Sequence, residues 1–170
     1  MGYQLYKDSP ESFPVPFIHG DVLDRSFLKP SPPIYTPPEG PAPDPSQLTT
    51  LTPLAGRLSA IHASYFFHLF SEEKQLQIAQ WLAGLLFPVP GSMIFGQHVG
   101  YPTKGTIVIH PTGEPVAMFC HSPESWEGLW NGVVFKQGSV KVQAELSTLP
   151  VPKGALDHTC WQLVWSITRV

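Results

Sequence analysis

The sequence predicts an α/β fold, and the stretch 57–96 contributes most to that prediction. Residues 58–63 alternate and then become continuously apolar, as a strand entering a buried sheet does. An amphipathic helix follows over 71–87, and a second short apolar run comes directly after it at 92–95. A right-handed crossover makes two such strands parallel neighbours, with the helix packed on one face of the sheet.

The helix over 71–87 has recognisable ends and one apolar face. Ser71 is a good N-cap, and the two glutamates after it suit the positive end of the helix dipole. Pro88 and Pro90 cannot continue a helix and therefore end it. The apolar stripe, at spacing i, i+4, i+7 and i+8, consists of Ile78, Leu82, Leu85 and Leu86.

Further strands and a second helix complete the predicted arrangement. Ser122 as N-cap and Pro123 at the first helical position predict a helix over 123–131. The last two strands alternate between apolar and polar residues, and we expect them to form an antiparallel pair at one edge of the sheet. The predicted strands are 15–19, 57–63, 92–97, 139–147 and 160–169, with short extended pieces at 106–109 and 116–120.

The prolines concentrate in one segment of what we predict to be a single domain over 1–170. Nine prolines fall within residues 30–53, a density that no helix or central strand tolerates. Loops of this length are usually functional or disordered. A proline-rich motif for a binding partner is one interpretation. A cover over the adjoining pocket is favoured, because Ile34 and Tyr35 are embedded in the segment.

Composition excludes several classes of function. The net charge of −3 and the absence of a run of Lys and Arg leave nucleic-acid binding without an electrostatic basis. No apolar stretch is long enough to span a bilayer, and no signal pattern is present at the start. Two cysteines do not make a disulfide framework. These observations predict a reduced cytoplasmic protein that binds neither nucleic acid nor membrane.

Two strand ends carry residues that suit a binding site. The first predicted strand ends at His62 and Ala63, and the second leads into His98 and Tyr101. Ligands of open α/β sheets bind at the carboxyl ends of the strands, which favours a site here. The alternative is that the aromatic residues are core and the histidines are ordinary loop residues. The seven histidines show no metal-ligand spacing, so we predict no metal, and no Gly-x-Gly phosphate-binding pattern occurs.

Several long segments together resemble a known family. They are Phe-Ile-His-Gly-Asp-Val-Leu-Asp at 17–24, Ser-Ala-Ile-His-Ala-Ser-Tyr-Phe-Phe-His-Leu-Phe at 59–70, Pro-Gly-Ser-Met-Ile-Phe-Gly at 90–96 and Met-Phe-Cys-His-Ser-Pro-Glu-Ser-Trp at 118–126. Nearly the whole chain is covered. The chain resembles fungal S-adenosylmethionine-dependent methyltransferases of secondary metabolism, notably of meroterpenoid biosynthesis, which methylate a carboxylic acid or a hydroxyl.

The resemblance implies an incomplete Rossmann-like methyltransferase sheet. Members of this family have seven strands in the order 3-2-1-4-5-7-6. Matched to them, the chain begins in the helix before strand 3, so strands 1 and 2 would be missing. The expected fold is therefore the C-terminal part of such a domain, with an antiparallel strand pair at its end. The uncovered edge strand at 57–63 predicts a homodimer or association with a homologue.

The resemblance also implies roles for single residues. In a bare sequence, an acid after a strand usually caps the next helix. The family assigns Asp21 to the adenine amino group of the cofactor, and a hydroxyl acceptor would need a base, for which His68 is best placed. The remaining implied cofactor residues are Val22, His62 and Ala63, and the implied substrate residues are Tyr65, His98, Tyr101, His121 and Trp126.

The residues and the resemblance together support three hypotheses about function. The first is an S-adenosylmethionine-dependent O-methyltransferase whose missing half must be supplied, so that the isolated chain binds the cofactor weakly or not at all. The second is a cofactor-independent isomerase, cyclase or binding protein for a terpenoid. The third is a non-catalytic partner of a full-length homologue. In all cases the aromatic and histidine residues near the site suit an apolar small molecule with one or two oxygen functions.

Overall fold

A computed structural model describes residues Lys7, Ser9, Ser12, 15–109, 114–148 and 160–170. It contains a four-stranded mixed sheet, a separate two-stranded hairpin and two α-helices, joined by short 3-10 turns. The strands are β1 (Ala60–His62), β2 (Met93–Val99), β3 (Gly105–Ile109), β4 (Val116–Cys120), β5 (Val140–Thr148) and β6 (Trp161–Arg169). The helices are α1 (Glu72–Leu85) and α2 (Pro123–Trp130), and the 3-10 turns are Pro45–Gln47, Thr52–Leu54 and Phe67–Leu69.

The main sheet has the strand order β1-β2-β6-β5. Strands β1 and β2 are parallel, with Ala60 opposite Met93, and α1 is the crossover between them. The predicted strand–helix–strand unit is thereby confirmed, although β1 is shorter than the predicted 57–63. Strand β6 runs antiparallel to both β2 and β5, which confirms an antiparallel pair at one edge of the sheet.

The strand predicted at 15–19 is wrong. Residues 15–20 are irregular, and the main sheet of the described residues ends at β1. A short apolar run becomes a strand only where a neighbour supplies hydrogen bonds, and β2 is the one strand with which β1 pairs in this part of the chain. The extended pieces predicted at 106–109 and 116–120 form the β3–β4 hairpin instead, outside the main sheet.

The core lies on one face of the main sheet. Alternate residues of β2 and β6, such as Ile94, Leu163 and Ile167, are fully buried there. Both helices contribute to this core, and α1 buries eight of its fourteen residues. Three of the four residues of the predicted stripe belong to that buried set, and the fourth, Leu86, is the C-cap of the helix and is also buried. Aromatic rings fill the centre of the layer, because Phe67 contacts Trp126, Trp130 and Trp165 edge to face.

The proline-rich segment 30–53 binds the amino end of β2 rather than the carboxyl edge. The Arg169 guanidinium donates to the Ile34 carbonyl at 2.6 Å, and the Lys136 N–H donates to the Tyr35 hydroxyl at 2.8 Å. The Arg169 backbone N–H also donates to the carbonyl of Ser92, the residue just before β2. These contacts therefore lie at the amino end of β2. The expected cover over the pocket is therefore wrong, since the two embedded residues are anchored at the opposite end.

Candidate functional site

The carboxyl end of β1 turns sharply into a loop held by hydrogen bonds. Tyr65 has φ of +52°, a left-handed conformation that residues with a side chain rarely adopt. Its N–H donates to the Gln97 carbonyl at 2.6 Å, and its hydroxyl accepts from the Gln162 amide at 2.8 Å. Two strands thus hold one strained residue in place. Such strain is stored where surrounding structure fixes it, and it clusters at functional sites.

A histidine and a serine form a polar pair just before this turn. The Ser64 hydroxyl lies 2.7 Å from His62 Nε2. The His62 ring stacks on Phe95 with ring centres 5.0 Å apart, which limits its orientation. The side chain of His62 is exposed, so the pair is open to small molecules.

A cleft of about 410 Å³ lies beside β1 and brings together three of the four predicted cofactor residues. Its lining is mostly apolar and carries no charged side chain: Val22, Ile61, His62, Ala63, Ser64, Phe66 and Leu82. Asp21 precedes Val22 but is exposed, and its carboxylate accepts from the Leu23 N–H at 2.8 Å. That contact lies within a turn rather than at a helix start, because residues 21–28 form turns and no helix.

Two of the predicted substrate histidines are buried in the aromatic layer. The indole N–H of Trp165 donates to His98 Nδ1 at 2.9 Å, so the neutral imidazole carries its proton on Nε2. Burial lowers the pKa of His98 to about 3, and the neighbouring His68 and His121 add to that shift. Burial also lowers the pKa of His121 to about 4, with Lys104 contributing. Both rings are therefore neutral at pH 7.

The other predicted residues connect this layer to the surface. The rings of His68 and Tyr65 lie 6.2 Å apart, and those of His68 and His98 6.3 Å apart. Trp126 is fully buried against His98, whereas Tyr101 is 39% exposed. A series of ring contacts thus runs from exposed Tyr65 to the interior. Within the described residues, Tyr101 joins this series through its backbone N–H, which donates to the His121 carbonyl at 3.0 Å.

Five buried nitrogen atoms of this layer have no hydrogen-bond partner in the described residues. They are His68 Nδ1, His98 Nε2, His121 Nε2, Trp126 Nε1 and Trp130 Nε1. Because buried polar groups are normally satisfied, ordered water is the simplest occupant of such a cluster. Within the same described residues, no group of three His, Cys, Asp or Glu side chains is arranged to hold a metal ion.

Sequence reasoning missed three residues at this end of the sheet: Ser64, Phe95 and Gln162. The spacing of Ser64, two residues after His62, places both side chains on the same side of an extended chain, and that signal was available. Gln162 reaches Tyr65 across 97 residues of sequence. No local pattern in the sequence indicates such a contact.

No protein-family model matches the chain. The chain is 30% identical to methyltransferase ausD of Penicillium brasilianum over 85% of its own length and 43% of the relative's. It is 27% identical to O-methyltransferase phiE of a fungal species over 82% of its own length and 38% of the relative's. It is also 35% identical to the asnovolin E/chermesin D methyltransferase nvfJ of Aspergillus novofumigatus, over 52% of this chain and 31% of that protein.

The chain thus spans about two fifths of the length of the first two relatives. That coverage is compatible with a match to one part of a longer methyltransferase. The predicted resemblance is confirmed: the chain is similar in sequence to fungal methyltransferases of secondary metabolism.

Proposed function

We propose that this chain is the second half of an S-adenosylmethionine-dependent O-methyltransferase sheet. The observation that carries the proposal is the strand order β1-β2-β6-β5, with only β6 antiparallel to β2. This order matches strands 4-5-7-6 of the family sheet, in which the full order is 3-2-1-4-5-7-6. Strands β1, β2, β6 and β5 would then be strands 4, 5, 7 and 6 of that sheet. Strands 1 and 2 of that sheet would then pair beyond β1, and the segment of the relatives that this chain does not match would supply them.

The cleft beside β1 fits one part of S-adenosylmethionine. Its apolar walls, formed by residues such as Val22 and Leu82, suit the flat adenine ring. The charged methionine end has no partner there, because no charged side chain lines the cleft. We therefore assign only adenine recognition to Val22, His62 and Ala63, with Asp21 adjacent. The contacts to ribose and methionine would come from the unmatched segment of the longer relatives.

The bound cofactor would supply an electrophilic methyl group on a sulfonium. The protein then has to align an acceptor oxygen with that methyl group and exclude water. A carboxylate acceptor is already ionised at pH 7, whereas a hydroxyl must lose a proton. Burial lowers the pKa of His68, so its ring is neutral at pH 7 and retains one nitrogen that can accept that proton. His62, fixed by Ser64 and Phe95, is the second histidine within the same region.

The acceptor we propose is an apolar molecule with one or two oxygen functions, such as a polycyclic terpenoid acid. Aromatic side chains dominate the region, from Tyr65 on the surface to Trp126 in the interior. No Lys or Arg lines the cleft beside β1, which therefore lacks the cationic cluster that a phosphorylated metabolite requires. The alternative function, a cofactor-independent isomerase, cyclase or binding protein for a terpenoid, would use the same apolar surface.

Calorimetry with S-adenosylmethionine separates these functions. The isolated chain should bind it weakly, because two or three charge-assisted hydrogen bonds of roughly 1.5–3 kcal/mol each are missing. A chimera that places the unmatched segment of ausD before this chain should bind it in the micromolar range. In that chimera Val22→Trp should abolish binding by filling the cleft, whereas Val133→Trp, at an exposed position outside the cleft, should not. Failure of the chimera to bind contradicts the proposal.

Deletion of the gene in its native organism tests the reaction itself. Accumulation of an unmethylated acid or alcohol supports the methyltransferase. A product stalled before cyclisation or isomerisation supports the alternative function. An unchanged metabolite profile contradicts both.

A further inference from the structure

Ser64 and His62 form a hydrogen-bonded pair at the carboxyl end of β1. The Ser64 hydroxyl lies 2.7 Å from His62 Nε2, which is within the reach that proton transfer requires. One residue separates the two positions in an extended segment, so their side chains lie on the same side of the chain. A serine and a histidine at this distance can exchange a proton, and in enzymes such a pair activates a hydroxyl group.

Both members of the pair are held in place by their neighbours. The His62 ring stacks on Phe95 with an angle of 28° between the two planes. Ser64 is followed by the strained residue Tyr65, whose N–H donates to the Gln97 carbonyl and fixes the turn. Reacting groups have to keep their geometry while the other reactant arrives, and side chains that are fixed beforehand meet this need.

The pair lies where two surface cavities adjoin. It lines the cleft beside β1, to which we assign the adenine of the cofactor, and it also lines a groove of about 1130 Å³. His68, the other histidine considered as a base, lines neither of these two cavities. The charged residues that line the groove are all acidic: Glu124, Glu127 and Glu145. Acidic groups disfavour an acceptor that carries a carboxylate and do not oppose a neutral hydroxyl.

We infer that Ser64 and His62 together remove the proton of the acceptor, and that the methylated oxygen is therefore that of a hydroxyl. This inference rests on the proposed function, which leaves a carboxylate and a hydroxyl open as acceptors. The acceptor O–H donates to Ser64 Oγ, and the Ser64 hydroxyl donates to His62 Nε2. As the acceptor oxygen forms its bond to the methyl carbon, the carbon–sulfur bond breaks and its electron pair stays on sulfur. The acceptor proton moves to Ser64 and the Ser64 proton moves to His62, which ends as an imidazolium.

The direction of the hydrogen bond decides whether the pair can act in this way. A neutral imidazole has one protonated nitrogen and one acceptor nitrogen. When Ser64 donates to Nε2, the proton of His62 is on Nδ1, and the lone pair of Nε2 is ready to receive the serine proton. Removal of the Ser64 hydroxyl should release this preference, so that the ring changes towards the tautomer protonated on Nε2.

Nitrogen-15 NMR of the imidazole rings measures that direction in the isolated chain. At pH 8 the wild-type chain should show His62 protonated on Nδ1, and Ser64→Ala should convert most of it to the tautomer protonated on Nε2. Ser147→Ala removes an exposed hydroxyl of β5 outside both cavities and should leave the His62 signals unchanged. His62→Gln assigns those signals. A wild-type His62 protonated on Nε2, or a tautomer that does not respond to Ser64→Ala, overturns the inference.

Complementation of the gene deletion in the native organism tests the reaction. The wild-type gene, Ser64→Thr and Ser147→Ala should restore the methylated metabolite. Ser64→Ala and His62→Gln should lower its amount at least tenfold at equal protein levels. Ser64→Thr keeps a hydroxyl at this position and therefore distinguishes proton transfer from packing. The restored metabolite should carry a methyl ether, because the pair is needed only for a hydroxyl acceptor.

The outcomes separate this inference from the proposed function. A methyl ester, or a methyl ether that Ser64→Ala and the wild type form equally well, overturns the role of the pair and leaves the methyltransferase supported. A methyl ether that depends on Ser64 and His62 supports both. A deletion that changes no metabolite contradicts the proposed function and the role of the pair together.

Discussion

The two faces of the main sheet are built by the same strands and have opposite surroundings. Along β2, Ile94 is fully buried by the helices, while the neighbouring Phe95 points to the other side and is 37% exposed. Both residues are large and apolar. The side-chain alternation of a strand therefore fixes which residues share a face, but a covering layer decides whether that face becomes core. Within the described residues only one face has such a layer.

The largest expected difference in stability is between two phenylalanine substitutions, one on each face of the main sheet. Phe67 is fully buried among Trp126, Trp130 and Trp165, so Phe67→Ala should reduce the free energy of unfolding by about 3–5 kcal/mol. Phe95→Ala, on the opposite face of β2, should cost about 1–2 kcal/mol, because Phe95 keeps 37% of its surface exposed and leaves no enclosed cavity when it is truncated. Urea unfolding of both variants measures the difference. Equal losses would mean that the face carrying Phe95 is also part of a packed core.

Acid should destabilise the packed face through its histidines. Burial lowers the pKa of His98 to about 3 and that of His121 to about 4, whereas both titrate at about 6.5 when unfolded. The unfolded chain therefore binds more protons below pH 6.5, and stability falls as the pH drops from 6.5 towards 4. From the two shifts together we expect a loss of about 4 kcal/mol between pH 7.5 and pH 5.

Urea unfolding at a series of pH values tests this expectation. Between pH 5 and pH 6, the slope of the free energy of unfolding against pH should correspond to an uptake of about two protons on unfolding. His121→Gln removes one of the two buried imidazoles, so in that variant the uptake should fall to about one proton. A free energy of unfolding that is the same at pH 5 and pH 7.5 would contradict the burial of both imidazoles as neutral groups.

Local patterns predicted those parts of the fold that local contacts determine. The helix ends at 71–87 and 123–131 were predicted to within two residues, because caps and prolines act on their own neighbours. The prediction of a strand at 15–19 was wrong, because a strand depends on a partner that can lie far away in sequence. The prediction that the proline-rich segment covers the pocket was wrong for the same reason. Its place is set by Arg169, more than a hundred residues later.

The candidate site shows the same division. The strand–helix–strand pattern predicts a site at the carboxyl ends of β1 and β2. The resemblance adds Val22 to His62 and Ala63, and these three residues do line one cleft. No local pattern indicates that His98 and His121 are buried, since their burial depends on α2, whose Trp126 contacts both rings. Their roles as substrate residues remain predictions, as do those of Tyr65, His68, Tyr101 and Trp126.

A glycine on the packed side should tolerate no side chain. A Cβ added to Gly96 would collide with the Ala63 carbonyl and approach Trp165. We expect Gly96→Ala to cost about 1–3 kcal/mol, because the backbone of β1 must move away. Gly128→Ala is the matched control in α2, where a Cβ meets open space and should stabilise the helix by about 0.5–1 kcal/mol. Thermal unfolding of the two variants should therefore shift in opposite directions, and a stabilised Gly96→Ala would contradict the close approach of β1 to β2.

The smallest expected effect concerns the caps of the two helices that cover the packed face. The Ser122 side chain accepts from the Ser125 N–H at 3.2 Å, and the Ser125 hydroxyl accepts from the Ser122 N–H at 2.9 Å. Ser122→Ala removes half of this reciprocal capping box and should cost about 1 kcal/mol. Ser71, at the N-cap of α1, makes no capping hydrogen bond with its side chain, so Ser71→Ala should change stability by only a few tenths of a kcal/mol. Chemical denaturation resolves this difference, and an equal loss in the two variants would show that Ser71 also caps its helix in solution.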